Sequence, residues 1–399
     1  MSDTRRTRAT TIVLWGIAIA IGLVLSYQRY RDAIAGDTGI DLGTFLEASA
    51  HVREGGSVYD APAYVYLPFI AWALLPFSSV AEAVGPWTIA SLLACWGAVA
   101  AVTATLWGSL RPWQRPVVAG VGIFTSLYST VISLEFWLGQ NDTFILLTTA
   151  LAVLFASLRQ SALSGVVLGI GAALKTWPAG MGLWLLRRGA PHRWRSLIAA
   201  ISTGLVAILV VVIVAGPQTL GEWIARTQDF SEQQLLAYSV WGVGRHLFAD
   251  SGVVDPLVDA PLLGTVVAWA LALAVCAALV VALLRPGTDS LAMWNVASAL
   301  VLLLPVSHLW YRLLMLPLVW VWIAYAMRRP KDPWIVSAAV VSVVFWLSTF
   351  RLPALDNQDA GAPTQYIAIM VVAFLTLGVS VAAAALRGGA GALPADRRA

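Results

Sequence analysis

Long apolar runs, broken by short polar clusters, repeat along almost the whole chain, and many reach the roughly 20 residues that a helix needs to cross a bilayer. A soluble core cannot absorb that many apolar runs, so the bilayer is their solvent and the pattern predicts an all-α polytopic membrane protein. Crossings are expected at about 10–27, 85–110, 116–138, 142–158, 196–215, 263–284, 291–307, 310–327, 333–350 and 365–386. Two shorter helices, 162–174 and 178–186, flank Lys175-Thr-Trp-Pro178 and are too short for easy crossings. Residues 66–84 carry Pro68 and Pro76 and are expected as irregular helix at the membrane interface. The count is thus about 10–12 transmembrane helices in a single domain over 1–386, with 387–399 a disordered cytoplasmic tail.

Composition agrees with the pattern: 59% of the 399 residues are hydrophobic and only 12% charged, which excludes an ordinary soluble domain. Cys95 and Cys276 lie inside apolar runs, which argues against both a disulfide and a metal site. Arg5, Arg6 and Arg8 precede the first run, which is long for a signal peptide and is expected to stay as an uncleaved span. With the N-terminus in the cytoplasm, 17 of the 25 basic residues fall in inner segments, an orientation that follows the positive-inside rule. The basic clusters are then topology signals, and no nucleic-acid patch is expected. Two long segments, 28–84 and 216–262, lie on the outer side, the first carrying short helices.

A handful of polar residues is not explained by the bilayer. Asp41 stands where an amphipathic helical pattern begins, a place where a carboxylate accepts bonds from free amides. The same placement suits a general base for a sugar hydroxyl, with Asp37 the nearest competitor. Gly139-Gln-Asn-Asp142 reads as a turn between helices, with Asn or Asp as a cap, or as hydrogen-bonding groups for a sugar or phosphate. Lys175 ends a short helix in apolar surroundings, where a cation needs a partner, and a lipid phosphate would serve. His308 and Arg312 stand at the outer end of a span, beside Trp310, which is expected as an interfacial anchor. They could bind phosphate or assist proton transfer. Arg245 and His246 form a further pair in what reads as a solvated loop. All these residues map to the outer side, which points to a site there.

In order and spacing these segments resemble glycosyltransferase family 87 of the polytopic GT-C superfamily. The resemblance is carried by Asp41 followed by a helix and Gly56-Ser-Val-Tyr59, by Tyr66-Leu67-Pro68, by Gly139-Gln-Asn141, by Gly165 through Lys175-Thr-Trp-Pro178, by the basic loop Arg187 to Arg195, and by the His308 segment. Tyr66-Leu67-Pro68 departs from the family's usual double proline. The resemblance implies a GT-C-like bundle that moves a sugar, foremost mannose, from a polyprenyl-phosphate donor to a glycolipid acceptor, inverting to an α-linkage. A phosphatidylinositol mannoside or lipomannan acceptor in an actinobacterial plasma membrane fits that implication. It makes Asp41 the base and His308 the group at the leaving phosphate or acceptor. Lys175, Arg312, Gln140 and Asn141 are candidates for donor and phosphate contact; no cofactor and no metal are expected. Arabinofuranosyl transfer from decaprenyl-phosphate-arabinose is the close alternative. A lipid or solute transporter is a more distant one, since no internal repeat is visible.

Overall fold

A computed structural model describes residues 2–36, 38–233, 237–252, 254–351 and 363–387. Asp37 and the expected tail at 388–399 lie outside the described residues. The first stretch holds α1 (Ser2–Ala35), α2 (Ile40–Arg53), α3 (Phe69–Ala73) and α4 (Val80–Leu106). Next come α5 (Gln114–Leu127), α6 (Thr130–Leu138), α7 (Asp142–Ser157) and α8 (Ser161–Leu174). Beyond the 3-10 segment Trp177–Leu186 follow α9 (Arg193–Ala215), α10 (Gln218–Gln233), α11 (Val240–Phe248) and α12 (Pro261–Leu284). The last part is α13 (Asp289–Leu303), a 3-10 turn Leu309–Met315 running into α14 (Pro317–Arg328), then α15 (Pro333–Ser348) and α16 (Pro363–Arg387).

The chain is an all-α polytopic membrane protein. Among the described residues six helices are long and apolar enough to cross a bilayer, seven if the bent pair α5–α6 is one span. Four shorter apolar helices, α7, α8, α13 and α15, supply the remaining expected segments. Burial sorts the spans. Leu309–Arg328 is 89% buried and, with α13, forms the centre, where Trp294, Trp320 and Trp322 are fully enclosed. Arg193–Ala215 is only 6% buried, so its leucines and isoleucines, and its valines other than Val211, face outward toward lipid. Two of these indoles are satisfied between helices: Trp320 Nε1 donates to Thr125 Oγ1 at 2.8 Å, and Trp322 Nε1 to Ser380 Oγ at 2.9 Å.

Several boundaries differ from the apolar pattern. The run expected as one crossing at 116–138 is two helices meeting at 55°. Ser129 causes the break: its hydroxyl takes the Ile132 amide at 3.4 Å and caps α6, offering the backbone an alternative to continuing α5. The freed carbonyls find donors, Arg29 Nε on Leu127 at 2.8 Å and Trp346 Nε1 on Tyr128 at 3.2 Å. Helix α4 starts at Val80 instead of 85, capped by Ser79, and the expected interfacial helix shrinks to the five residues of α3. The segment with Arg245 and His246, expected as a solvated loop, lies in α11, with Gly244 packed so closely on Gly264 of α12 that neither could carry a side chain.

Two features aim the chain at the site. Helices α8 and α9 pack through Gly165 and Gly169; a Cβ at Gly165 would lie 2.0 Å from the Ser196 carbonyl oxygen. That contact fixes the end of α8, which carries Lys175. Residues 38–84 form a second small core around Leu42, Phe45, Tyr59, Tyr64 and Ile70. Phe45 meets Tyr64, Tyr66 and Trp87 edge-on or tilted at 5.3–6.2 Å, which holds α2 against the end of the bundle.

Candidate functional site

Asp41 reaches the site through a close approach of two turns. Gly39 (φ +85°) precedes α2, and Gly139 (φ +74°) follows α6, both in the left-handed region that favours glycine. The Gly39 amide donates to the Trp137 carbonyl at 2.6 Å, and a Cβ at Gly139 would lie 2.6 Å from Leu42 Cβ. The backbones therefore touch, and the residues just beyond, Asp41 and Gln140, face each other. Gln140 Nε2 donates to Asp41 Oδ2. Asp41 lies in the first turn of α2 but is not its cap residue, which is Gly39.

Gln140 is the hub. Its Oε1 accepts from Tyr66 Oη at 3.4 Å and from Lys175 Nζ at 3.5 Å. Lys175 Nζ also donates to Asp142 Oδ2 at 2.8 Å and lies over the Tyr311 ring at 4.2 Å. The buried cation therefore has a protein partner, whereas the sequence pointed to a lipid phosphate. An ammonium has three hydrogens, and Asp142, Gln140 and Tyr311 all take part in holding it. His308 stacks on Trp310 with centroids 4.3 Å apart and planes 6° from parallel, its edge toward Tyr311. Trp310 is thus buried against the imidazole and is not the interfacial anchor that was expected.

These groups line one cavity of about 520 Å³, walled by Asp41 and Thr44 of α2, Tyr66, Gln140, Lys175 to Trp177, Thr227 and Phe230 of α10, and the His308 to Tyr311 segment. Four sequence candidates, Asp41, Gln140, Lys175 and His308, share it. Two do not. Asn141 turns its Nδ2 to the Leu174 carbonyl at 3.3 Å, tying the α6–α7 turn to the end of α8. Arg312 donates to the Ile369 carbonyl at 3.0 Å and reaches the Met370 sulfur at 3.1 Å, which fastens the central segment to α16. His308 caps the 3-10 helix Leu309–Met315, and at about three residues per turn the step of four to Arg312 overshoots a full turn, which sends the two side chains to different neighbours. His246 also lies elsewhere, its Nε2 accepting from the Ala237 amide at 3.2 Å and its Nδ1 beside Ser251 Oγ at 2.9 Å.

Sequence reasoning missed the supporting carboxylates and rings. Asp142 was read as a cap, yet its place two residues after Gln140 and the need of Lys175 for a partner were the available signals. Glu135, fully buried on α6, accepts the Thr143 amide at 3.1 Å and so caps α7 in its stead. Tyr66 was noted only as part of a family-like segment and Tyr311 only as a neighbour of His308, since aromatics at membrane edges are common.

Electrostatics divide the acid from the base. Burial, opposed by the Gln140 bond and the Lys175 charge, raises Asp41 above the ordinary value of 3.8. Burial, with the Lys175 charge adding to it, lowers His308 to about 3, so its imidazole is neutral at physiological pH. The cavity thus offers a basic carboxylate, one ammonium and a neutral ring.

Three of the segments leaving this cavity end at basic turns. Helix α7 runs from Asp142 toward Arg159, the 3-10 segment from Lys175 toward Arg187, and the His308 segment through α14 to Arg328. A bundle of apolar helices with a polar groove at the end opposite its basic turns is a multi-pass membrane protein with one built site. The chain belongs to glycosyltransferase family 87, of the GT-C superfamily; the family's profile matches residues 64–307. That range contains Gln140, Asn141 and Lys175, begins after Asp41, and stops one residue before His308. Part of the chain is also similar to GPI mannosyltransferase 1 of Emericella nidulans, 31% identical over 193 residues, 44% of this chain and 40% of that protein. The same-named proteins of Aspergillus oryzae and Aspergillus fumigatus are 29% and 30% identical over 42% and 41% of this chain, and 40% and 39% of theirs. The chain thus spans about two fifths of the length of these relatives.

Proposed function

We propose that the protein transfers a mannosyl unit from a polyprenyl-phosphate donor to a glycolipid acceptor, with inversion to an α-linkage. The observation that carries this reading is the convergence of Asp41, Gln140, Lys175 and His308 on one cavity. Family membership supports sugar transfer, and the names of the similar fungal proteins favour mannose. Asp41 takes the proton of the acceptor hydroxyl as its oxygen bonds to the anomeric carbon. The bond from that carbon to the phosphate oxygen breaks, and the lipid phosphate leaves with the electron pair.

Each group has a separate task. Gln140 holds Asp41 in place through its amide, and the raised carboxylate is a stronger base than an exposed one. Lys175, anchored by Asp142, presents its positive charge to the phosphate as charge develops there. Neutral His308 gives the same oxygens, or the acceptor, an N–H donor. We place the site on the membrane face away from the cytoplasm, because the basic turns occupy the opposite end and the positive-inside rule assigns those to the cytoplasm.

The test offers purified protein both polyprenyl-phosphate-mannose and decaprenyl-phosphate-arabinose with lipid acceptors and identifies the product by mass spectrometry. A mannosylated glycolipid is expected. An arabinosylated product moves the donor assignment, and transport of either donor without transfer replaces the enzyme with a flippase.

A further inference from the structure

A second cavity of about 380 Å³ lies away from the proposed transfer site, between the end of α2, α3 and the junction of α9 with α10. Its polar wall comes from Ser57, Gln218, Thr219 and Glu222, and its apolar wall includes half-buried Trp72, whose ring is held edge-on by Phe69 at 5.4 Å. Gly55, at φ +82° and with open space where a Cβ would stand, keeps one side clear. Ser57 Oγ donates to Glu222 Oε2 at 2.6 Å, and Arg226 donates to the Tyr59 carbonyl at 2.9 Å, so α10 is pinned to the first loop at two points.

The same two helices line both cavities. On α2 the step from Phe45 to Val52 is about 10 Å, and on α10 the step from Thr227 to Glu222 is about 8 Å, at the rise of an α-helix. A chain of a few sugar rings spans that interval. Glu222 is the charged side chain of the lining, so the cavity disfavours phosphate and favours a neutral ligand rich in hydroxyl donors. A carboxylate has about four acceptor positions and Ser57 occupies one. An indole face beside hydroxyl, amide and carboxylate groups suits a pyranose, which has an apolar face and a polar edge.

We propose that this cavity is a carbohydrate subsite that holds a sugar of the acceptor glycan remote from the reacting one. The inference rests on the reading that the main cavity glycosylates a glycan. Its test needs neither donor nor turnover: soluble α-linked mannose di-, tri- and tetrasaccharides are titrated against the purified full chain, with binding read by saturation-transfer NMR. The tetrasaccharide is expected to bind wild type, and to bind Glu222→Gln and Trp72→Ala about tenfold more weakly. Gln218→Ala, a change at an exposed position, gives the same direction if either of those variants fails to fold. Absence of wild-type binding, or equal binding by all folded variants, overturns the subsite. Failure of the transfer reading shows separately, as saccharide binding without any glycosyl product.

Discussion

Asp41 and His308 are both half-buried at the cavity wall, yet burial drives them in opposite functional directions. A raised carboxylate keeps its proton to higher pH than usual, so the basic form grows as pH rises through that raised value. The kcat/KM profile is therefore expected to climb on an acid limb above 3.8, and Asp41→Asn should remove the limb and about 10²–10⁴ of the rate. His308, lowered to about 3, should contribute no limb near neutrality in the free enzyme; a limb at about 6.5 that vanishes in His308→Gln would contradict its neutrality. Lys175→Met should destabilise the fold by about 3–5 kcal/mol by stranding Asp142, while Lys175→Met with Asp142→Asn should regain stability without regaining activity. Thermal melting in detergent beside a transfer assay separates those outcomes. At this scale the sequence exposed the groups that are costly in a membrane, Asp41, Lys175 and His308, because their cost needs a reason. It did not expose direction: Arg312 carries the same signal as His308, and only the tight turn between them shows that it serves α16.

Helices were legible because long apolar runs have one solution in lipid. Their breaks were less so. The hydroxyl of Ser129 divides one apolar run into two helices bent by 55°, a local competition that hydropathy does not register. The bend matters to function, since it aims α6 so that Gly139 meets Gly39 and Gln140 meets Asp41. Gly139→Ala places a Cβ 2.6 Å from Leu42 Cβ at a positive φ, and a cost of about 1–3 kcal/mol is expected. Transfer should fall more steeply than stability, because the displaced element carries the base; a Gly139→Ala protein with full kcat would show that the two turns do not set the site. The small residues of α8 were visible as a run, but that they seat α8 on α9 to deliver Lys175 required the fold.

At the scale of the molecule, the lipid-facing helices and the buried Trp-rich centre divide labour: one set answers the bilayer and the other holds the groove. The polar groove lies at one end and the basic turns at the other, and that polarity was readable from charge alone. Their meeting in one cavity was not, because Asp41, Gln140, Lys175 and His308 are far apart in sequence. The orientation has its own check: in sealed vesicles of known sidedness, a cysteine at Thr227 should react with an impermeant thiol reagent from the side opposite a cysteine at Arg188. The central claim, that Asp41 removes a proton for sugar transfer, is tested most directly by reconstituting wild type and Asp41→Asn with polyprenyl-phosphate-mannose and a glycolipid acceptor and following the mannosylated product. The account predicts product from wild type and almost none from a folded Asp41→Asn protein; equal turnover by the two would contradict it.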